Sequence, residues 1–464
     1  MTATDRRHPV LDGDPYQGYV YAYPHKTAYR PLAPVPLRDT WAGEPRSGLF
    51  LYVHVPFCTI RCGFCNLFTT AKPKDSLVEH YLDALKRQAK AVRDAVPDAR
   101  FARLAIGGGT PTYLGEAELG QILDIARTVM GADSAAIPTG VEASPDTLSR
   151  EKVELLKARG VERVSIGVQS FVEAEAANSG RPQRRADVDA ALSLLAAAAF
   201  PTFNIDLIYG LPGQTVETWL YSLREALRYD PDELYLYPLY VRPLTGLGRS
   251  RKEWDDTRLA CYRAARNVLL AEGYVQVSMR MFRKPDSSPL APRAESESAR
   301  GKQDGGAGAA SKQSGLLYCC QEDGMIGLGC GARSYTRALH YSLDYAVEPK
   351  GVKEIIADYL ARSPAEFATA VHGFVLNADE QRRRYLLQSV LNADGLDSAR
   401  YAARFGTDPA DDFPDLRTFA DLGLFDFDDG TWLPTPLGLE RSDAVGPWFF
   451  SPRVRRLAAE YEAK

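Results

Sequence analysis

Three of the chain's seven cysteines, Cys58, Cys62 and Cys65, fall within eight consecutive positions of "YVHVPFCTIRCGFCNLF" (52–68). An apolar, strand-like run precedes them and an aromatic-rich run follows. A loop leaving a strand with Cys at i, i+4 and i+7 can turn three thiolates toward one point. Three thiolates saturate three irons of a cubane 4Fe–4S cluster and leave the fourth iron to an external ligand. No fourth cysteine stands nearby, because positions 66 and 67 are Asn and Leu. Structural zinc wants four ligands, usually in two spaced pairs, and the distance from His54 to Cys58 matches no common zinc pattern. A thioredoxin-like pair would use Cys62 and Cys65 but leave Cys58 unexplained. The spacing favours the iron–sulfur cluster over both.

Such a loop needs a rigid base. From about residue 50 to 275, short apolar runs alternate with longer helix-periodic stretches. The spacing predicts strands at 49–55, 101–107, 139–144, 163–169, 203–209 and 233–239. Helices are predicted near 75–95, 116–131, 149–159, 185–199, 215–228 and 255–272. Strands alternating with helices read as βαβ units in a parallel sheet. Six in succession suit a partial (β/α)6, TIM-like barrel, open on one side. In such barrels the chemistry sits at the C-terminal ends of the strands. The first end carries the cysteines, and the second carries "GGGTP" (107–111), where glycines let backbone approach a ligand closely. The third, fourth and fifth carry Glu142, Gln169 and Asp206, polar residues within apolar strands. One alone would read as a satisfied core residue or a strand end reaching water. Three at equivalent positions fit a ligand with hydroxyl, amine and carboxylate groups.

Beyond the barrel, "YVQVSMRMF" (274–282) and "GLLYCC" (315–320) read as strands joined by a low-complexity insert, 284–315. That insert is too poor in apolar surface to order itself. "GMIGLGCGARSY" (324–335) reads as a Gly-rich strand and turn, so 316–350 is expected to complete the barrel. Residues 351–464 are expected to form a small helical, winged-helix-like domain. Its hairpin, 424–440, turns at Asp429-Gly430. A DNA-binding role lacks a basic, base-reading helix. With 45% hydrophobic and 25% charged residues and a formal charge of −4, nothing pulls the chain toward nucleic acid or an acidic membrane. The N-terminal residues lack the apolar run of a signal peptide, which predicts a cytoplasmic protein. In that reducing compartment seven unevenly spaced cysteines are not a disulfide framework.

The string "YVHVPFCxxxCxxC", "GGGTP", "RVSIGVQSF", "FNIDLIYGLPGQT", in this order, resembles the radical S-adenosylmethionine (SAM) superfamily. Within it the similarity is to the branch of the oxygen-independent coproporphyrinogen III oxidases, which also holds haem chaperones and HemN-like methyltransferases. The resemblance is strong over 45–275, moderate at "GLGCGARSY" and loose beyond. It implies a 4Fe–4S cluster on Cys58, Cys62 and Cys65, with SAM chelating the open iron. The SAM amine would also touch the backbone of Gly107, Gly108 and Gly109. Glu142, Gln169, Arg181 (in "NSGRPQ") and Asp206 fall at the branch's SAM contacts, and Tyr52 stands before the cysteine loop as in the oxidases. The activity implied is reductive cleavage of SAM to a 5′-deoxyadenosyl radical that abstracts hydrogen from an organic substrate or from a second SAM. A tetrapyrrole is one such substrate. The partners implied are that small molecule and a flavodoxin- or ferredoxin-type electron donor, with the protein a monomer or weak dimer.

The match also departs from the family. Leu67 stands where the oxidases carry a further Cys, and their C-terminal extension is not evident. "LLYCCQEDGMIG" (316–327) lacks the chaperones' His-Asn-x-x-Tyr-Trp segment, leaving His340 or Cys330 as other routes to haem. Cys319 and Cys320 would face opposite sides of a strand. Either they divide between core and surface, or one donates hydrogen to a substrate radical. Met279 and Phe282 either line the substrate pocket or pack the core. The N-terminal arm, residues 1–45, carries five tyrosines in 15–32. It is read equally as a cover for the active site, stacking on a flat substrate, or as a pinned tail.

Overall fold

The computed structural model describes residues 8–250, 253–285 and 324–461. Six parallel strands form the core: β1 (Leu49–Val55), β2 (Phe101–Gly108), β3 (Thr139–Ala143), β4 (Arg163–Gln169), β5 (Thr202–Tyr209) and β6 (Glu233–Pro238). They pair in chain order. Helices Asp75–Ala95, Glu116–Ile125, Arg150–Ala158, Arg185–Ala198 and Val216–Leu227 connect them, and Arg258–Ala271 follows β6. Local chemistry sets their starts. Ser149 accepts from the Lys152 amide, and Thr215 and Thr218 form a reciprocal capping box, each satisfying amides that a helix leaves orphaned. The second helix ends short of the expected residue 131, because Ala126–Met130 widens into a π turn before Gly131.

The period-two alternation of the strands sorts their side chains. Leu51, Val53, Ile106, Val141, Val164, Ile166, Ile205, Leu207, Leu234 and Leu236 are buried in one apolar core with the surrounding helices. Each contributes roughly 1.5–3 kcal/mol of burial. The alternate positions, Tyr52, Glu142, Ser165, Asn204, Asp206, Tyr235 and Tyr237, therefore share the opposite, inner face.

The barrel does not close. Met325–Leu328 adds parallel to β1, followed by antiparallel Arg333–Tyr335, Leu339–Ser342, Thr369–Val375 and Arg30–Pro36. At the other edge, 274–282 is not the single strand expected. Val275–Gln276 folds back on Met281–Arg283, which pairs with β6. The reason is Ser278, whose hydroxyl accepts from the amides of Arg280 (3.3 Å) and Met281 (3.1 Å) and so stabilises a turn. Residues 286–323, with most of the low-complexity segment, the "GLLYCC" run, Cys319 and Cys320, lie outside the described residues.

A second apolar core gathers residues 374–454 around the helix Ala378–Val390. Its three-stranded sheet has the order Leu396–Asp397, Thr431–Pro434, Phe425–Asp428. The expected Asp429-Gly430 turn is present, both residues having positive φ (43° and 76°), the geometry a two-residue hairpin requires. Val10, Tyr23 and Tyr29 of the arm are buried in this same core.

Candidate active site at the open end of the barrel

The cysteine loop is fastened at both ends by backbone. Phe57–Cys58 pairs with Thr70–Ala71, and the Lys72 amide donates to the Cys58 carbonyl at 2.9 Å. Gly63 donates to the Ser179 carbonyl at 2.9 Å, tying the loop to the segment after β4. The end of β2 is stapled beside it, Gly109 donating to Val55 at 2.7 Å and Thr110 to Phe57 at 2.8 Å. A Cβ on Gly109 would stand 2.6 Å from the Phe57 carbonyl oxygen and 2.9 Å from Cys58 Sγ. Gly108 has φ +117° and donates to Glu142 Oε2 at 3.0 Å. Gly107 lies against the same carboxylate. Only glycines permit this approach.

A cavity of about 450 Å³ opens here, lined by Cys58, Cys62, Cys65, Gly109, Gln169 and Arg181 among others. Gln169 sits at φ +71°, rare for a residue with a Cβ, and its buried Oε1 has no partner within the protein. Arg181 donates to Cys62 Sγ (3.3 Å), Ser144 Oγ (3.0 Å) and the Gly167 carbonyl (2.6 Å). Gln183 donates to the carbonyls of Val168 and Ser170, fixing the turn after β4. Burial pushes the Cys58 thiol up to about 12 and raises that of Cys65, so thiolates there need a cationic centre to offset the lost hydration. Among the described residues no three His, Cys, Asp or Glu groups close on a single ion. A cubane asks for a wider spacing, one sulfur per iron corner. The three lining thiols, the glycine cradle and the unpartnered Gln169 oxygen suit that larger group and an organic ligand beside it.

Deeper in the lumen, Asp206 accepts from Asn204 (2.7 Å) and Ser165 (3.2 Å). Burial pushes its carboxyl up to about 6. Glu142, on the inner face of β3, keeps open surface; desolvation by the surrounding protein pushes its carboxyl up to about 7 against the Gly108 amide, and Asp206 adds to the rise. Tyr52 lies on the same face, its hydroxyl 3.4 Å from His54 Nδ1, while His54 Nε2 sits 2.9 Å from the Phe68 carbonyl.

The facing wall comes from the N-terminal arm. Tyr19 packs edge-on to Tyr237 of β6, ring centroids 6.3 Å apart, with the Arg280 guanidinium 3.7 Å over its ring. Tyr21 receives a hydrogen bond from Arg333 (3.3 Å) and packs with Tyr52, Phe50 and Tyr335. Lys26 stands 3.4 Å over Tyr345, whose hydroxyl donates to the carbonyl of Asn66, next to Cys65. Burial, with Arg333 nearby, holds the Lys26 ammonium well below its usual range. The arm thus spans the open side of the barrel.

Of the two readings of Met279 and Phe282, the structure shows core packing: both are buried in the barrel core. His340 and Cys330 are likewise fully buried. Sequence reasoning passed over Thr110, Ser144, Gln183, Lys26 and Arg333. Thr110, Gln183 and Arg333 stand inside the quoted "GGGTP", "NSGRPQ" and "GLGCGARSY" and were legible there as positions; Lys26 carries no such local signal.

Comparison with known proteins agrees with this architecture. The Radical SAM superfamily model matches residues 52–226, and the HemN C-terminal domain matches 376–440. A heme chaperone HemW of Bacillus subtilis is 28% identical over 385 residues, 80% of this chain and 91% of the relative. The oxygen-independent coproporphyrinogen III oxidase of Escherichia coli is 28% identical over 399 residues, 84% of this chain and 82% of the relative. The solved Escherichia coli coproporphyrinogen III oxidase (HemN) shares the fold, with TM-score 0.70 and 24% identity over 88% of this chain and 92% of that one. A barrel with three cysteines after its first strand, followed by a HemN C-terminal domain, places the chain in the radical SAM superfamily, among its HemN-like proteins, a family that uses a 4Fe–4S cluster and SAM.

Proposed function

We propose that this chain is a radical SAM enzyme resembling the coproporphyrinogen oxidases, acting on a flat organic substrate that bears carboxylates. One observation carries the reading: arm residues Tyr19, Tyr21 and Lys26 pack on Tyr237, Tyr52 and Tyr345, and Tyr345 is hydrogen-bonded to Asn66 beside Cys65. Cys58, Cys62 and Cys65 would hold the cluster. Gly107–Gly109, Glu142, Gln169, Arg181 and Asp206 would hold SAM, the unpartnered Gln169 oxygen and the bent backbone at Gly108 serving a polar ligand. When bound, cluster and SAM supply the 5′-deoxyadenosyl radical.

The protein's share is placement. Tyr19, Tyr21 and Tyr52 offer faces to a flat molecule, Arg333 offers charge to a carboxylate, and Lys26, whose charged form burial disfavours, offers a hydrogen-bonding nitrogen. The arm spanning the open side excludes water from the reacting atoms. In this reading residues 1–45 act as cover, 46–283 as catalytic barrel, 316–350 as its completing edge and 351–464 as the domain that anchors the cover. A second reading, a haem carrier, draws on the equal identity to the HemW relative.

The test uses anaerobically reconstituted full-length protein with SAM, a low-potential reductant and coproporphyrinogen III as probe. Release of 5′-deoxyadenosine with carbon dioxide and a decarboxylated product is the expected result. S-adenosylhomocysteine instead would assign methyl transfer, and stoichiometric haem binding without 5′-deoxyadenosine would assign the carrier. Cys62→Ala should lose both the cluster absorption and SAM cleavage; an intact cluster in that variant overturns the ligand assignment.

A further inference from the structure

Each of the three cysteine sulfurs meets a side-chain hydroxyl or guanidinium. The Thr110 hydroxyl donates to Cys58 Sγ at 3.6 Å, the Arg181 guanidinium to Cys62 Sγ at 3.3 Å, and the Thr69 hydroxyl lies 4.0 Å from Cys65 Sγ. None of these contacts is incidental to a mobile surface. Thr110 is fixed by its own amide on Phe57. Arg181 is held by three further bonds, to Gln183, Ser144 and Gly167. Thr69 is almost wholly buried, at 1% exposure. The three residues come from different parts of the fold: the turn after β2, the segment after β4 and the exit of the cysteine loop.

From this arrangement we infer that Thr110 and Arg181 are positioning residues that set the reduction potential of the cluster through its cysteine sulfurs. The inference rests on the three cysteines being the cluster's ligands, and on no assignment of substrate. Reduction by one electron from an external low-potential donor adds one negative charge to the cluster and its thiolates. A donor aimed at a thiolate sulfur stabilises that added charge, so hydrogen bonds to cluster sulfurs raise the potential. Thr110 contributes a neutral dipole. Arg181 contributes a full charge, and Ser144 and Gly167 restrain its guanidinium so that one arm remains on Cys62. This gives Arg181 work at the cluster that is separable from contact with SAM.

The test is a redox titration of reconstituted full-length protein followed by electron paramagnetic resonance, without SAM or substrate. Iron and sulfide are counted in every sample. Thr110→Val, at full iron content, is expected to shift the midpoint to more negative potential, and Thr110→Ser, which restores the hydroxyl, to return it to the parental value. Arg181→Met should shift it further in the same direction, with Arg181→Lys between the two. Midpoints that stay parental in both Thr110→Val and Arg181→Met at full iron content overturn the inference. Equal shifts in Thr110→Val and Thr110→Ser also overturn it, because they report packing. Cluster assignment is judged separately by the iron count of Cys62→Ala, so its failure is not confused with this one.

Discussion

The two walls of the lumen are built by different means. The barrel wall is made of strand ends, where neighbours in sequence or in adjacent strands do the work: Gly109 on Val55, Thr110 on Phe57, Gly108 on Glu142. The arm wall is made of contacts across hundreds of residues. Tyr23 donates to buried Glu380, which also accepts from Ser451 at 2.8 Å. Arg30 donates to the Leu457 carbonyl at 2.5 Å, and the Gly18 amide to that of Asp443 at 3.0 Å. Asp443 further accepts from Arg280 and Tyr240, both at 2.5 Å. The first wall has its geometry fixed by backbone and tolerates no added atom. The second is held by buried polar groups whose partners lie in another core. The difference assigns the geometry of the cysteine side to local motifs and that of the arm side to the docking of the C-terminal domain.

Breaking the arm wall should have the larger effect on stability. Arg280 and Asp443 are 7% and 2% exposed. Asp443→Ala leaves a buried guanidinium without its counter-ion, a loss of about 3–5 kcal/mol. Chemical denaturation should read that loss, and limited proteolysis should show cleavage newly admitted between residues 8 and 28. The double change Arg280→Met with Asp443→Leu, which removes both charges, should recover most of the stability. A single variant that costs under about 1 kcal/mol, as exposed pairs do, would mean that the arm is held by its backbone and aromatic contacts alone.

The barrel wall should fail differently, by geometry. Gly109→Ala places a methyl group 2.6 Å from a carbonyl oxygen and 2.9 Å from Cys58 Sγ. Overpacking of this kind costs about 1–3 kcal/mol, and the displaced thiol should lower iron incorporation out of proportion to that loss. Gly43→Ala, where nothing lies within 4 Å, is the matched control and should keep parental stability. Parental iron content in Gly109→Ala would show that the cradle is wider than these distances imply.

This contrast explains what the sequence could disclose. The six strands were legible to within a residue or so, because alternation of apolar positions with helix-length spacing is a short-range property. The cysteine spacing and "GGGTP" were legible for the same reason, each being a loop whose chemistry is complete within a dozen residues. The fold-back at Ser278 was not, since a run of β-prone residues outweighs one hydroxyl whose bonds depend on the turn already existing. Lys26 over Tyr345, Arg333 on Tyr21 and Arg280 on Asp443 were invisible, because each partner is supplied from more than a hundred residues away. The left-handed backbone at Gln169 was also hidden: strain of that kind is imposed by the surrounding fold, not by the residue's own preference.

The smallest expected effect concerns the lumen between the walls, and it is read through pH. Burial raises the Asp206 carboxyl from 3.8 to about 6, opposed by Asn204, Arg163 and Ser165 and reinforced by Glu233; Asp206 in turn raises Glu142. A carboxyl raised on folding binds its proton more tightly in the folded state than in the unfolded one. Its contribution to stability is therefore greatest at low pH and declines as pH rises from about 4 through about 6. Asp206→Asn cannot ionise, so the melting temperature of the variant relative to the parent should climb across that interval and level off above it. Lost bonds to Asn204 and Ser165 add an offset that pH does not change. A difference that is flat from pH 4 to 7 would place Asp206 in contact with water, as open as the outer surface, and would remove the lumen's claim to be an enclosed chamber.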